Sequence, residues 1–104
     1  MNNAMVLTTA ANDLFRIWGV HGEAAISMMG GRDETPAGVL DRVIILLCIN
    51  EALKRIFSEP LRIRHWLHSP NTIFHDHSPL QLMAHGDLAS LRRIYAYLQA
   101  ESRS

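Results

Sequence analysis

Seven consecutive apolar residues, VIILLCI from Val43 to Ile49, bound what this chain can fold into. As a strand the run would be short and buried on both faces; as a helix it covers nearly two turns with no polar side. Its neighbours decide for the helix. The apolar pattern continues through Ala52, Leu53, Ile56 and Phe57, while Glu51, Lys54, Arg55 and Ser58 fall opposite, which is helical periodicity. Upstream, Thr35 is a good N-cap and Pro36 fits the first helical position, where its missing N–H is not needed. A helix from about Pro36 to Ser58 is therefore predicted, either as the central core helix or as one shared between a core and a subunit interface. The run is far too short to span a bilayer, and the N-terminus has no basic region ahead of an apolar stretch. The expectation is a soluble, cytoplasmic chain with no membrane partner.

The other segments read as helices too. From Ala4 to Trp18, Leu7, Ala10, Ala11, Leu14 and either Ile17 or Trp18 recur at spacings of three and four, and Gly19 is placed to end the helix. His21 to Met29 forms a second short segment that stops at Gly30 and Gly31. Pro60 opens a helix carrying Ile63, Trp66 and Leu67, which ends near His68 because the residue before Pro70 disfavours helical geometry. A loop follows to Ser78, where Ser78-Pro79-Leu80-Gln81 has the form of a capping box. Gly86 is expected to close that helix after two turns, and Asp87 to cap the last one, whose buried stripe is Leu88, Leu91, Ile94 or Tyr95, and Leu98. The predicted fold is all-α, a compact bundle of about six helices. Residues 1–35 form a helical N-terminal region and residues 36–104 the main domain, together one compact unit of a size for a single core.

Ten Lys and Arg balance ten Asp and Glu, so no global field would hold the chain on a nucleic-acid backbone. The stretch Arg64 to Gly86 holds five of the six histidines. His65 and His68 stand three apart on a short helix, and His75 and His77 two apart in the following loop. Imidazole is a common zinc ligand, but no second thiolate is available and Asp76 is the nearby carboxylate. The simpler reading is loop and surface histidines, with one capping a helix C-terminus near His68 or His85. Cys48 lies inside the apolar run and reads as a small buried thiol. Ser69, His75 and Asp76 can be picked out as a triad, but no strained strand-to-helix elbow or Gly-rich phosphate loop accompanies them. Neither an enzyme nor a bound cofactor or metal is expected.

The residues of this stretch do carry a resemblance. The order Trp66-Leu67, Pro70-Asn71, Phe74, Ser78-Pro79-Leu80, Leu82-Met83 and Gly86, then a last helix with Leu91, Ile94, Tyr97 and Leu98, resembles the toxin-binding domain of the Xre/MbcA/ParS antitoxins. Asp41 and Ala52-Leu53 to Ile56-Phe57 match the segment leading into it. FRIWGVHGEAAISMMGG resembles the helix-turn-helix-like region those antitoxins place before it. Physically, Trp66 and Leu67 read as core anchors, Pro70 and Asn71 set a turn, Phe74 plugs the loop onto the core, and Pro79, Leu80 and Gly86 bound the next helix. These positions are scaffold, and the histidines between them are local variation.

The resemblance implies an antitoxin of a type II toxin-antitoxin pair. Its partner would be a RES-domain toxin that consumes NAD or uses it for ADP-ribosylation, encoded next to it and bound in a hetero-oligomer or by a homodimer of this chain. The binding face is expected on the last helix, with Arg92, Arg93, Tyr95 and Tyr97 as contacts. Beyond Leu98 the helix is expected to fray into a polar tail that carries Gln99, Glu101, Ser102 and Arg103 into the toxin's active site. The rival is a DNA-binding regulator of its own operon, built on the helix pair up to Met29. The segment RDETPAG then stands where a recognition helix should follow, and the motif is degenerate.

Overall fold

The computed structural model describes residues 3–85 and 87–103. The first helix, α1, runs Asn3–Trp18 and stops where Gly19 takes φ +75°, a left-handed conformation that costs glycine nothing. Ala11, Leu14, Phe15 and Trp18 form its buried face. Of the two residues left open by periodicity, Trp18 is the buried one and Ile17 is 56% exposed. The Trp18 indole N–H donates to Asn50 Oδ1 at 3.1 Å, which satisfies the polar atom that burial would otherwise strand.

The last carbonyls of α1 are closed from across the fold. Arg64 donates to Arg16 O at 3.2 Å and to Ile17 O at 2.9 Å, and His68 Nε2 lies 2.8 Å from Trp18 O. These are the acceptors that a helix C-terminus leaves unpaired. A Cβ on Gly19 would stand 3.3 Å from both Arg64 and His68, so the glycine also gives them room.

A short helix, α2, spans Glu23–Met28, and α3 spans Pro36–Ile56. The Thr35 hydroxyl accepts the Gly38 N–H at 3.0 Å, the cap read from the sequence. The helix ends two residues before the expected Ser58, because Phe57 and Glu59 are extended ahead of Pro60, as a residue preceding proline prefers. The apolar run resolves into a central helix. Val43, Leu46 and Ile49 are buried, while Ile44 is half exposed, and α3 packs against α1 and against the last helix. Cys48 is half-buried, not enclosed.

Helix α4 spans Pro60–His68, a single 3-10 turn spans Thr72–Phe74, α5 spans Pro79–Met83 and α6 spans Leu88–Ser102. The capping box at Ser78 is formed in both directions: Gln81 N–H donates to Ser78 Oγ at 3.1 Å, and Ser78 N–H donates to Gln81 Oε1 at 2.7 Å. Gly86, expected to close α5, lies outside the described residues; the helix ends earlier, at Met83. Helix α4 packs on α1 and α5, and α5 bridges α4 to α6. The six α-helices form an all-α bundle with a Cα radius of gyration of 13.1 Å. No helix among the described residues is long and apolar enough to cross a membrane.

One expectation is overturned at the C-terminal end. Helix α6 does not fray after Leu98 but continues through Ser102. Gln99, Ala100 and Glu101 are good helix formers, Gln99 Nε2 donates to Tyr95 OH at 3.0 Å one turn back, and Ser102 Oγ donates to Gln99 O at 3.0 Å.

Candidate functional site

The loop between α4 and α5 is held by its own backbone. Asn71 N–H donates to His77 O at 3.1 Å, Asp76 N–H to Asn71 O at 3.0 Å, and His77 N–H to Phe74 O at 3.0 Å. The Asn71 side chain accepts the Ile73 N–H at 3.0 Å. His75 and Asp76 occupy the centre of the tight turn at φ 55° and 65°, a left-handed region that these two residue types enter more readily than most. This closure drives Phe74 into the core, where it is 1% exposed. The loop histidines thus include one that forms the turn itself.

Around Phe74 the rings assemble. Trp66 stacks on Tyr97 with centroids 6.3 Å apart and planes 3° from parallel. It meets Phe74 edge-on at 6.3 Å and Phe57 at a tilt at 6.4 Å, and Phe74 and Tyr97 are edge-to-face at 5.4 Å. Such arrangements satisfy the ring quadrupoles. The Arg93 guanidinium lies 5.6 Å from the Phe74 centroid and donates to Ile73 O at 3.3 Å, a cation–π contact anchored by a hydrogen bond. Trp66, read from the sequence as a core anchor, is only half-buried, packed against the core but not enclosed by it. Leu67 and Pro79 are buried, Leu80 is half-buried and Pro70 is exposed.

The expected contact residues of α6 do not share one surface. Leu91, Ile94 and Leu98 face inward. With 100° between successive residues, Arg93, Tyr97 and Glu101 lie on one flank of that stripe, while Tyr95, Gln99 and Arg92 lie on the other. Neither tyrosine is the inward one; both are half-buried. Burial raises the Tyr97 phenol above its ordinary pKa, and the Glu101 carboxylate adds to this, as both disfavour a phenolate. Ser102 and Arg103 are exposed at the helix end.

Through Tyr97 and Glu101, the Arg93 flank borders an open apolar cleft that periodicity did not single out. Phe57, Leu61, Arg62, His65, Trp66 and Ser69 line a hollow of about 480 Å³. A smaller one of about 90 Å³ adjoins it, sharing Phe57 and Trp66 and bounded by Ile56, Tyr97 and Glu101. Leu61 is 76% exposed. A signal for it did exist in the sequence: Leu61 falls off the Ile63–Leu67 stripe of its own helix, so it has no core to enter.

Among the described residues, no three His, Cys, Asp or Glu side chains gather as a metal site would require. His68 is committed to Trp18 O, and Ser69 Oγ packs against the His65 imidazole and donates to His65 O at 2.6 Å. Near the α2–α3 turn, Arg32 pairs with Glu23 at 2.9 Å and Arg42 with Glu34 at 3.0 Å. The cations best placed to meet a nucleic-acid backbone there are therefore neutralised within the chain.

Fold and face together are those of a small helical module with an open, ring-lined apolar surface. Residues 52–102 match the antitoxin Xre/MbcA/ParS C-terminal toxin-binding domain. Over that segment, from the last turns of α3 to the end of α6, the chain belongs to this antitoxin family, whose partner is a toxin. The upstream region read as helix-turn-helix-like lies outside the match. No curated protein and no solved structure matches the chain.

Proposed function

We propose that this chain is the non-enzymatic, cytoplasmic antitoxin of a type II pair, and that it neutralises a RES-domain toxin by covering that enzyme's NAD pocket. The observation that carries the reading is the toxin-binding family match over residues 52–102, which contains the ring-lined face and the whole of α6. The occluding element is a helix end, not a frayed tail. Its last turn projects Glu101, Ser102 and Arg103 into solvent, and polar groups on a preformed helix enter a cleft at less entropic cost than a disordered segment would.

The test is intracellular NAD in cells expressing the RES-domain product of the adjacent reading frame, with this chain intact, truncated after Leu98, or withheld. The reading expects NAD to collapse without the chain, to hold with the intact chain and to fall again with the truncation. Protection by the truncated chain would move occlusion to another part of the domain. NAD that never changes would remove the RES-type partner.

A further inference from the structure

The neutral total charge conceals a division. Residues 1–51 carry three arginines against six carboxylates, and residues 52–104 carry seven Lys and Arg against four, giving −3 and +3. The structure sharpens this. Every side-chain ion pair among the described residues lies between Asp13 and Lys54. From Arg55 onward none of the arginines meets a carboxylate among the described residues: Arg64 and Arg93 bond to backbone carbonyls instead. Arg62 lines the cleft beside Leu61 and Trp66, together with His65, and among the described residues no carboxylate lines that hollow. Glu101 stands at the far rim, on the smaller hollow.

Apolar walls with an unpaired cation at the edge select one kind of occupant. Burying Leu61, Phe57 and the exposed part of Trp66 supplies the attraction, while Arg62, with no carboxylate opposite it among the described residues, favours negative charge, steers it in and rejects a basic segment. We infer that the Leu61–Arg62–Trp66 cleft is the principal toxin contact, and that it takes a toxin segment in which an apolar side chain is flanked by carboxylates. This rests on the antitoxin reading and shifts the centre of the interface from the outer side of α6 to α4, with Tyr97 at its border.

The test measures binding of the full chain to the purified RES-domain product of the adjacent reading frame, at low and at high salt. Leu61 and Arg62 are exposed, so Leu61→Asp and Arg62→Glu leave the core untouched, which circular dichroism verifies. Leu61→Asp is expected to weaken binding about tenfold or more. Arg62→Glu is expected to do the same and to reduce the salt dependence of association, and Arg62→Lys to retain most of the affinity. Arg55→Glu, an equal charge change outside the cleft, is expected to cost less than about threefold. If the unsubstituted chain binds and both cleft variants bind equally well, the inference falls while the antitoxin reading stands. If the unsubstituted chain does not bind, the RES-partner reading falls and takes the inference with it. A free chain that self-associates, and that Leu61→Asp turns into a monomer, would give the cleft to a second copy and also overturn it.

Discussion

Two helix junctions of similar length are built in opposite ways. The turn between α2 and α3 is locked by side-chain charge: Glu34 accepts from Thr35 N–H at 2.9 Å and pairs with Arg42 at 3.0 Å, with Gly30 at φ +104° packed beneath them. The turn between α4 and α5 is locked by backbone hydrogen bonds and by a buried ring. The first consumes its charges internally. The second uses no ion pair among the described residues: Arg93 lies over Phe74 and bonds to Ile73 O, with no carboxylate opposite it. The difference separates a joint, which needs to hold two helices, from a scaffold that keeps a surface in shape for a partner.

The largest expected effect tests the ring beneath the second junction. Phe74→Ala removes the edge-to-face partners of Trp66 and Tyr97 and leaves a hole in the core; a loss of about 3–5 kcal/mol is expected in urea unfolding. At the first junction, a Cβ on Gly30 would stand 2.6 Å from Glu34 Cγ and 2.7 Å from Arg42 Nε. With the positive φ added, Gly30→Ala is expected to cost about 1–3 kcal/mol by the same measurement. Removing the clamp on α1 by Arg64→Ala or His68→Ala is expected to cost about 1–2 kcal/mol each, with faster amide exchange confined to the last turn of α1. If the second junction is held by backbone hydrogen bonds and its buried ring and not by side-chain charge, Asp76→Gly should leave it intact and gain up to about 1 kcal/mol by relieving the left-handed residue.

The smallest effect is one of pH. The Thr35 backbone N–H, and then Arg42, hold the Glu34 carboxyl below its ordinary pKa. A group depressed in the folded state contributes stability above its unfolded pKa and loses it as pH falls through the folded value. Melting temperature should therefore drop on acidification below the ordinary carboxylate range, and Glu34→Gln should flatten that dependence. An unchanged acid limb in Glu34→Gln would mean that the first junction does not depend on its charge.

Much of the fold was legible in the sequence because its signals are local. Thr35 with Pro36, Ser78 with Gln81, and Gly19 each act within one helical turn, and each sits where those signals put it. What escaped depends on distant partners. Arg64 and His68 serve carbonyls 47 to 50 residues away, so no window along the chain reveals them. His75 and Asp76 turn the backbone without the glycine or asparagine that would advertise it. The site was legible as a family pattern but not as a surface. Helix phase places Tyr95 and Tyr97 on opposite flanks of one stripe, and only the packing of α4 shows which flank meets the rings. The charge division was present in the composition by halves, but a sum of zero hides it.

The most direct test of the central proposal, that residues 52–102 hold the toxin while the N-terminal junction does not, is amide hydrogen exchange on the free chain and on its complex with the proposed RES-domain partner. The account predicts added protection in α4 and along α6, with the α2–α3 turn exchanging as it does in the free chain. Protection confined to α1, α2 and that turn would contradict it.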